Sequence, residues 1–194
     1  MPVYSIRGTS GAGKSTLARA VMEKYESRKA LFVKGRKQPI GYLLTPPRFS
    51  FGGKKMFVLG HYEIPCGGGD TVSSREQTFN LILSACRKGY NVFMEGVVLS
   101  DEVRRTAELN ARGFKVEVIG LTTDVELCIK RINSRRRQRN AQAAPVNEEN
   151  TRRRTAAIDR AMARLKEAGV HTLHLSWNEA YEYLLTELCL PRGE

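Results

Sequence analysis

Residues Gly8-Thr9-Ser10-Gly11-Ala12-Gly13-Lys14-Ser15 fit the spacing G-x-x-x-x-G-K-[ST], directly after an apolar stretch and directly before a helix-like one. Small residues at this spacing let backbone N–H groups wrap a phosphate, the lysine reaches β and γ oxygens, and the final hydroxyl ligates Mg²⁺. Gly8 through Ser15, with Thr16 behind them, therefore read as a nucleoside-triphosphate site, with ATP and Mg²⁺ as expected ligands and Ser15 as a metal ligand. The alternative is a glycine-rich turn without function. The flanks argue against it: Val3-Tyr4-Ser5-Ile6-Arg7 reads as a feeding strand, and residues 15–25 carry Leu17, Ala18, Val21 and Met22 at helical spacing.

Two acids complement this loop. Glu95 closes the apolar run Val92-Phe93-Met94-Glu95, which reads as a buried parallel strand with a functional carboxyl end. There a carboxylate orients Mg²⁺ or its waters, so Glu95 is a candidate catalytic and metal residue; the alternative is an exposed strand-end acid. Asp70 follows Gly67-Gly68-Gly69, a run that lets backbone come close to a ligand, and precedes a helix. An acceptor hydroxyl must lose its proton as a phosphoryl group moves, and an Asp within hydrogen-bond distance can take it. The alternative for Asp70 is to stabilise the turn and cap the next helix.

Arg131, Arg135 and Arg139 recur at i, i+4 and i+8 on one helical stripe, with Arg136 and Arg137 alongside. Aimed at a reacting centre, such a stripe neutralises charge spreading over the phosphoryl oxygens, as a mobile lid does; otherwise it is a solvated basic face. Arg152-Arg153-Arg154 cannot all face one way on a helix. Lys34, Arg36, Lys37, Arg48, Lys54 and Lys55 lie in an irregular stretch where substrate phosphates could be held. Tyr42, His61 and Tyr62 either stack on a base or belong to core or rim. The three histidines form no metal or triad pattern.

The elements that must position these groups follow from periodicity. After the first helix come a short strand at 30–34, a proline-broken loop or edge hairpin at 35–51, and a strand at 54–64. A turn at 65–71 leads to a helix from Ser73 or Ser74 towards Lys88 that buries Phe79, Ile82, Leu83 and Cys86. Strands at 90–98, 114–121 and 172–175 alternate with helices at 101–112, 124–139, 151–168 and 179–188, with a break at 141–150 around Pro145. The recurring βα pattern predicts an α/β fold: a three-layer α/β/α domain with a parallel five-stranded sheet, a small edge hairpin and an Arg-rich helical lid near 131–154. At 194 residues one domain over 1–194 is expected.

Hydrophobic residues at 41% and charged ones at 27% are globular values, no apolar run reaches bilayer length, and with no basic-then-apolar segment before the first strand no export signal is expected. Cys66, Cys86, Cys128 and Cys189 are too scattered for a disulfide framework or a metal site. A soluble, cytoplasmic protein with no membrane partner is expected. Lys plus Arg number 32 against 20 acids, a net of +12, and residues 130–160 alone hold ten basic residues against three acids. A polyanionic partner fits this balance.

With these residues in order, the chain resembles the P-loop kinase superfamily: phosphate loop, acid-bearing strand, arginine-rich lid helix and closing strand. More narrowly, Leu59-Gly60-His61-Tyr62-Glu63-Ile64-Pro65-Cys66-Gly67-Gly68-Gly69-Asp70-Thr71 and Met94-Glu95-Gly96 look like the small phage kinases of thymine hypermodification. That resemblance implies phosphorylation of the hydroxymethyl group of 5-hydroxymethyluracil in DNA. It assigns ATP and Mg²⁺ to Lys14 and Ser15, activation of the acceptor to Asp70, and stabilisation of the transfer to the lid arginines. The competing readings are a nucleoside or nucleoside monophosphate kinase, a 5′-hydroxyl polynucleotide kinase, and a regulatory nucleotide-binding module. Salt sensitivity separates the first from a DNA enzyme, and base dependence separates the second.

Overall fold

In chain order the strands are β1 (Pro2–Arg7), β2 (Ser27–Leu31), β3 (Gly41–Thr45), β4 (Met56–Leu59), β5 (Asn91–Glu95), β6 (Lys115–Leu121) and β7 (His171–Leu175). The helices are α1 (Lys14–Glu23), α2 (Arg75–Arg87), α3 (Arg104–Ala111), α4 (Val125–Arg139), α5 (Glu148–Glu167) and α6 (Trp177–Glu187). The computed structural model describes residues 1–64, 67–72, 74–96 and 98–192; Pro65, Cys66 and Ser73, placed by the sequence in the glycine turn and at a helix start, lie outside the described residues. Ser74 caps α2, accepting from the Gln77 N–H.

β1 is flanked by β5 and β6, both parallel to it, and five of its six residues are buried. The sheet runs β2-β3-β4-β5-β1-β6-β7. β4, β5, β1, β6 and β7 are mutually parallel, while β3 is antiparallel to both β4 and β2 and forms an edge ribbon. Alternation along the strands serves two cores. Tyr4, Ile6, Phe93 and Ile119 pack with Leu17 of α1 and Leu184 of α6, whereas Val3, Val92, Met94 and Val118 pack with Ile82 of α2, Leu109 of α3 and Ile158 of α5. Each fully buried side chain of this kind contributes about 1.5–3 kcal/mol, so helices cover both faces of the parallel strands.

The differences from the expected elements have local causes. The short strand expected at 30–34 lies three residues earlier: β2 begins at Ser27, pairs antiparallel with β3 and ends at Leu31, leaving Phe32 60% exposed. Its exposed Ser27, Arg28 and Lys29 are the polar guard of an edge strand, which hides the strand from an apolar pattern. The strand expected over 54–64 shortens to β4 because Gly60, at φ 95°, turns the chain away. α3 starts only at Arg104, where the Glu102 carboxylate accepts from the Arg105 and Thr106 N–H groups. α5 starts earlier than expected, at Glu148, under the Asn147 cap, and α6 starts at Trp177, behind a Ser176–Glu179 capping box. No helix among the described residues is long and apolar enough to cross a membrane.

Candidate active site

The chain leaves β1 at Gly8 and re-enters regular structure at Lys14. Gly13 sits between them at φ 97°, a left-handed conformation that an L side chain adopts only under strain, and a Cβ there would meet Trp177 Cδ1 at 3.0 Å. As the cap of α1 it supplies no side-chain acceptor, and the first turn of α1 carries no acid. The positive helix end is thus set up to receive an anion. Lys14 is buried, and its Nζ donates to Gly8 O at 2.7 Å and Thr9 O at 3.0 Å. Burial pushes its pKa down, while the negative charges of Glu95 and Asp70 oppose that shift. The loop is held from outside by Thr123 Oγ1, which donates to Ala12 O at 2.9 Å, and by Arg131 Nη1, which donates to Gly11 O at 3.2 Å. Ala12 itself turns into the core.

The β1–β5 register pairs Ile6 with Glu95, which brings the end of β5 beside the start of the loop. Ser15 Oγ donates to Glu95 Oε1 at 2.9 Å, and Glu95 is 2% exposed. Burial raises the Glu95 carboxyl above the usual range, opposed by Lys14 and the Ser15 hydrogen bond. A hydroxyl beside a carboxylate is a hard-oxygen donor pair that fits Mg²⁺, an ion that binds one or two protein oxygens and completes its shell with phosphate and water. Among the described residues no group of three or more His, Cys, Asp or Glu offers a competing all-protein cage.

The three glycines before Asp70 serve the protein's own backbone. A Cβ on Gly68, at φ 95°, would lie 1.9 Å from Glu95 Oε1; one on Gly67 would lie 1.9 Å from His61 O, and one on Gly69 2.4 Å from Glu95 O. The close approach expected towards a ligand is an approach to Glu95 and to the chain after β4. Gly68→Ala is accordingly expected to displace Glu95, lower stability by about 1–3 kcal/mol from backbone strain alone, and reduce turnover. Urea unfolding beside an activity assay checks both, and wild-type values in both would show that the contact is dispensable.

Asp70 stands in a single 3-10 turn, Gly69–Thr71. Its Oδ1 accepts from the Val98 N–H at 2.9 Å, and Thr71 Oγ1 donates to Gly68 O at 2.7 Å and accepts from the His61 N–H at 3.0 Å. Arg36 adds a guanidinium bond to Thr71 O. The carboxylate is exposed and borders a cleft of about 860 Å³ that also takes in Lys14, Ser15, Glu95, Arg131 and Arg135. Ser10, Gly11, Gly13 and Thr16 line the same space. The cleft lies at the carboxyl edge of the parallel strands, where the connecting loops of such a sheet converge on a ligand.

Other expected residues fall elsewhere. Arg139, in the last turn of α4, is outside the cleft lining, unlike Arg131 and Arg135. Tyr42, His61 and Tyr62 are buried, the two tyrosine rings 6.4 Å apart, so they are core and not a base-stacking surface. Arg152 pairs with Glu126 and Glu148, Arg153 with Glu149, and Arg154 approaches Asp101 at 3.9 Å, which makes the second basic cluster a set of ties within and beside α5.

The structure also adds residues the motifs do not mark. Arg19, four residues after Ser15 on α1, borders the cleft and donates to Tyr62 O at 2.9 Å and Ile64 O at 3.0 Å; the i,i+4 spacing was its signal. Trp177, stacked on Tyr181 at 5.4 Å, closes the cleft behind Gly13. Arg7 is fully buried, donating to Ser100 O at 3.1 Å and Thr106 Oγ1 at 2.8 Å, with burial pushing its pKa down to about 10. Ser100 Oγ in turn donates to Gly96 O at 2.7 Å and accepts from the Gly8 N–H at 3.4 Å, so Arg7 and Ser100 bind the base of the phosphate loop to the chain that follows β5.

A phosphate loop heading α1, with its lysine turned inward and a strand-end carboxylate on its serine, defines a phosphotransferase of the P-loop kinase kind. Residues 73–176 match the Zeta toxin family, and the chain belongs to that family. The phosphate loop precedes the matched segment and rests on the β1–α1 geometry. Over 179 residues the chain is 36% identical to the "5-hmdU DNA kinase" of Pseudomonas phage PaMx11, covering 92% of this chain and 93% of that protein.

Proposed function

We propose that the protein transfers the γ-phosphoryl group of ATP to the hydroxymethyl oxygen of 5-hydroxymethyluracil in DNA. The observation that carries the chemistry is Asp70: an exposed carboxylate held by the Val98 N–H, on the same cleft as Lys14 and the Ser15–Glu95 pair. The name of the phage relative and the net charge of +12 support the DNA acceptor.

The loop N–H groups and Lys14 hold the triphosphate; Ser15 and Glu95 would hold Mg²⁺, which would supply positive charge against the phosphate oxygens. Asp70 accepts the proton of the acceptor hydroxyl. The hydroxymethyl oxygen then bonds to the γ phosphorus, the bond to the β–γ bridging oxygen breaks, and ADP leaves. Arg131 and Arg135 neutralise the charge on the transferred group, with α4 and the start of α5 acting as a lid on a single kinase domain. The target base reaches the cleft either by flipping out or by presenting its major-groove hydroxymethyl.

The test is transfer of γ-labelled phosphate from ATP to duplex DNA containing 5-hydroxymethyluracil, beside matched thymine DNA and the free nucleoside, followed by digestion to nucleosides. Label on the modified nucleoside of DNA alone is the expected result. Label on strand ends would identify a 5′-hydroxyl polynucleotide kinase, and label on the free nucleoside alone a nucleoside kinase. In the same assay Arg131→Ala with Arg135→Ala is expected to lower kcat by about 10²–10³-fold, the size of losing transition-state donors, with DNA affinity little changed; the reverse pattern would make them DNA contacts.

Glu95→Gln is expected to raise the Mg²⁺ concentration for half-maximal activity by about tenfold or more. A Mg²⁺ titration of the variant reads this directly, and an unchanged midpoint would remove Glu95 from the metal site.

A further inference from the structure

The six basic residues of the irregular stretch fall at opposite edges of the sheet. Lys54, Lys55 and Arg48 belong to the connection from β3 to the amino end of β4, away from the cleft. Lys34, Arg36 and Lys37 belong to the connection from β2 to β3, at the carboxyl edge. Strand pairing fixes this placement: Leu31 is opposite Gly41 and Gly41 is opposite Leu59, while Ile40 donates to Leu31 O at 2.7 Å and accepts from the Gly60 N–H at 2.8 Å. Gly60 leads into His61, which bridges to Gly68 ahead of the Asp70 turn. Arg36, bonded to Thr71 O, pins this loop to the residue after Asp70.

What the pinned loop presents is aromatic and cationic. Phe32 is 60% exposed and Val33 36% exposed, and Lys34 and Lys37 are exposed with no acid within ion-pairing distance among the described residues. An exposed aromatic ring flanked by unpaired lysines is the combination that holds a single nucleic-acid strand: the ring takes the face of a base and the ammonium groups take phosphates. We infer that residues 32–37 hold the acceptor DNA strand beside the target base, with Phe32 stacked on a neighbouring nucleobase and Lys34 and Lys37 on the flanking phosphates. The inference rests on the reading of the protein as a DNA base kinase.

Fluorescence anisotropy with a labelled duplex carrying 5-hydroxymethyluracil, alongside the transfer assay, tests it on the full chain. Phe32→Ala is expected to weaken DNA binding and raise the KM for DNA by about tenfold, the loss of one base–aromatic stack, with the KM for ATP unchanged. Lys34→Ser with Lys37→Ser is expected to lower the slope of log affinity against log salt by about two. Phe49→Ser with Phe51→Ser, 89% and 93% exposed but at the far edge, serves as the comparison and is expected to match wild type. Wild-type DNA affinity and salt slope in both the Phe32 and the lysine variants, with transfer to DNA intact, would reject the loop while leaving the kinase reading standing. Failure of the wild-type protein to label modified DNA would overturn that reading and this inference with it.

Discussion

Lys14→Ala is expected to reduce phosphoryl transfer to the level of a no-enzyme blank while leaving the fold intact. The side chain is buried, and its ammonium rests on the carbonyls of Gly8 and Thr9, two residues of the loop it must serve. Burial disfavours that charge in the absence of an anion, and Glu95 and Asp70 compensate only in part, since the net direction is downward. A triphosphate at the head of α1 supplies the missing counter-charge, so nucleotide binding and the lysine are coupled in both directions. Alanine leaves the helix end but removes the cation of the loop, and with it the charge expected to stabilise the transferring phosphoryl group. Two readouts distinguish this from misfolding. The variant should melt within a few degrees of wild type without nucleotide, and it should lose most of the stabilisation that saturating ATP gives wild type, about 2.7 kcal/mol at a hundredfold excess over Kd. Transfer at even a tenth of the wild-type rate would mean that another group performs the lysine's task.

How far this site is readable from the chain depends on whether its chemistry is local. Gly8 to Ser15 carry theirs in consecutive residues, so the motif and the strand–loop–helix context expected around it are both legible in the chain. Glu95 is readable as an acid closing an apolar run, but its partnership with Ser15 is not, because it follows from the pairing of Ile6 with Glu95 across strands far apart in the chain. Parallel register is set by the two cores and by crossover helices, and no short pattern encodes it. The glycine run at 67–69 illustrates the same limit: the need for absent side chains is plain, whereas the atoms that impose it, on Glu95 and His61, come from other elements. β2 is masked by its charged edge, and the burial of Tyr42 and Tyr62 comes from a core cluster assembled from elements far apart in the chain. Arg7 is the converse case, a charge inside a buried strand that marks a tertiary tie only once Ser100 and Thr106 are seen around it.

Asp70→Asn is expected to lower kcat by about 10²–10⁴-fold, the contribution of a positioned general base, with the KM for ATP altered by no more than a few fold. Asparagine keeps an oxygen that can accept from the Val98 N–H, one of the contacts that hold the turn, and so removes proton-accepting capacity while keeping that contact. That distinguishes the two roles open to this residue. A turn-stabilising aspartate would tolerate Asn and suffer with Ala, whereas a base would fail with both. Exposure favours Asp70 over Glu95 for this role: both border the cleft, but Glu95 is 2% exposed with Oε1 taken by the Ser15 hydroxyl, whereas Asp70 is exposed. Steady-state kinetics on modified DNA for wild type, Asp70→Asn and Asp70→Ala, with urea unfolding of each, separate the outcomes. Near-normal kcat in Asp70→Asn with a destabilised Asp70→Ala would confine Asp70 to the turn and require the proton to leave by another route.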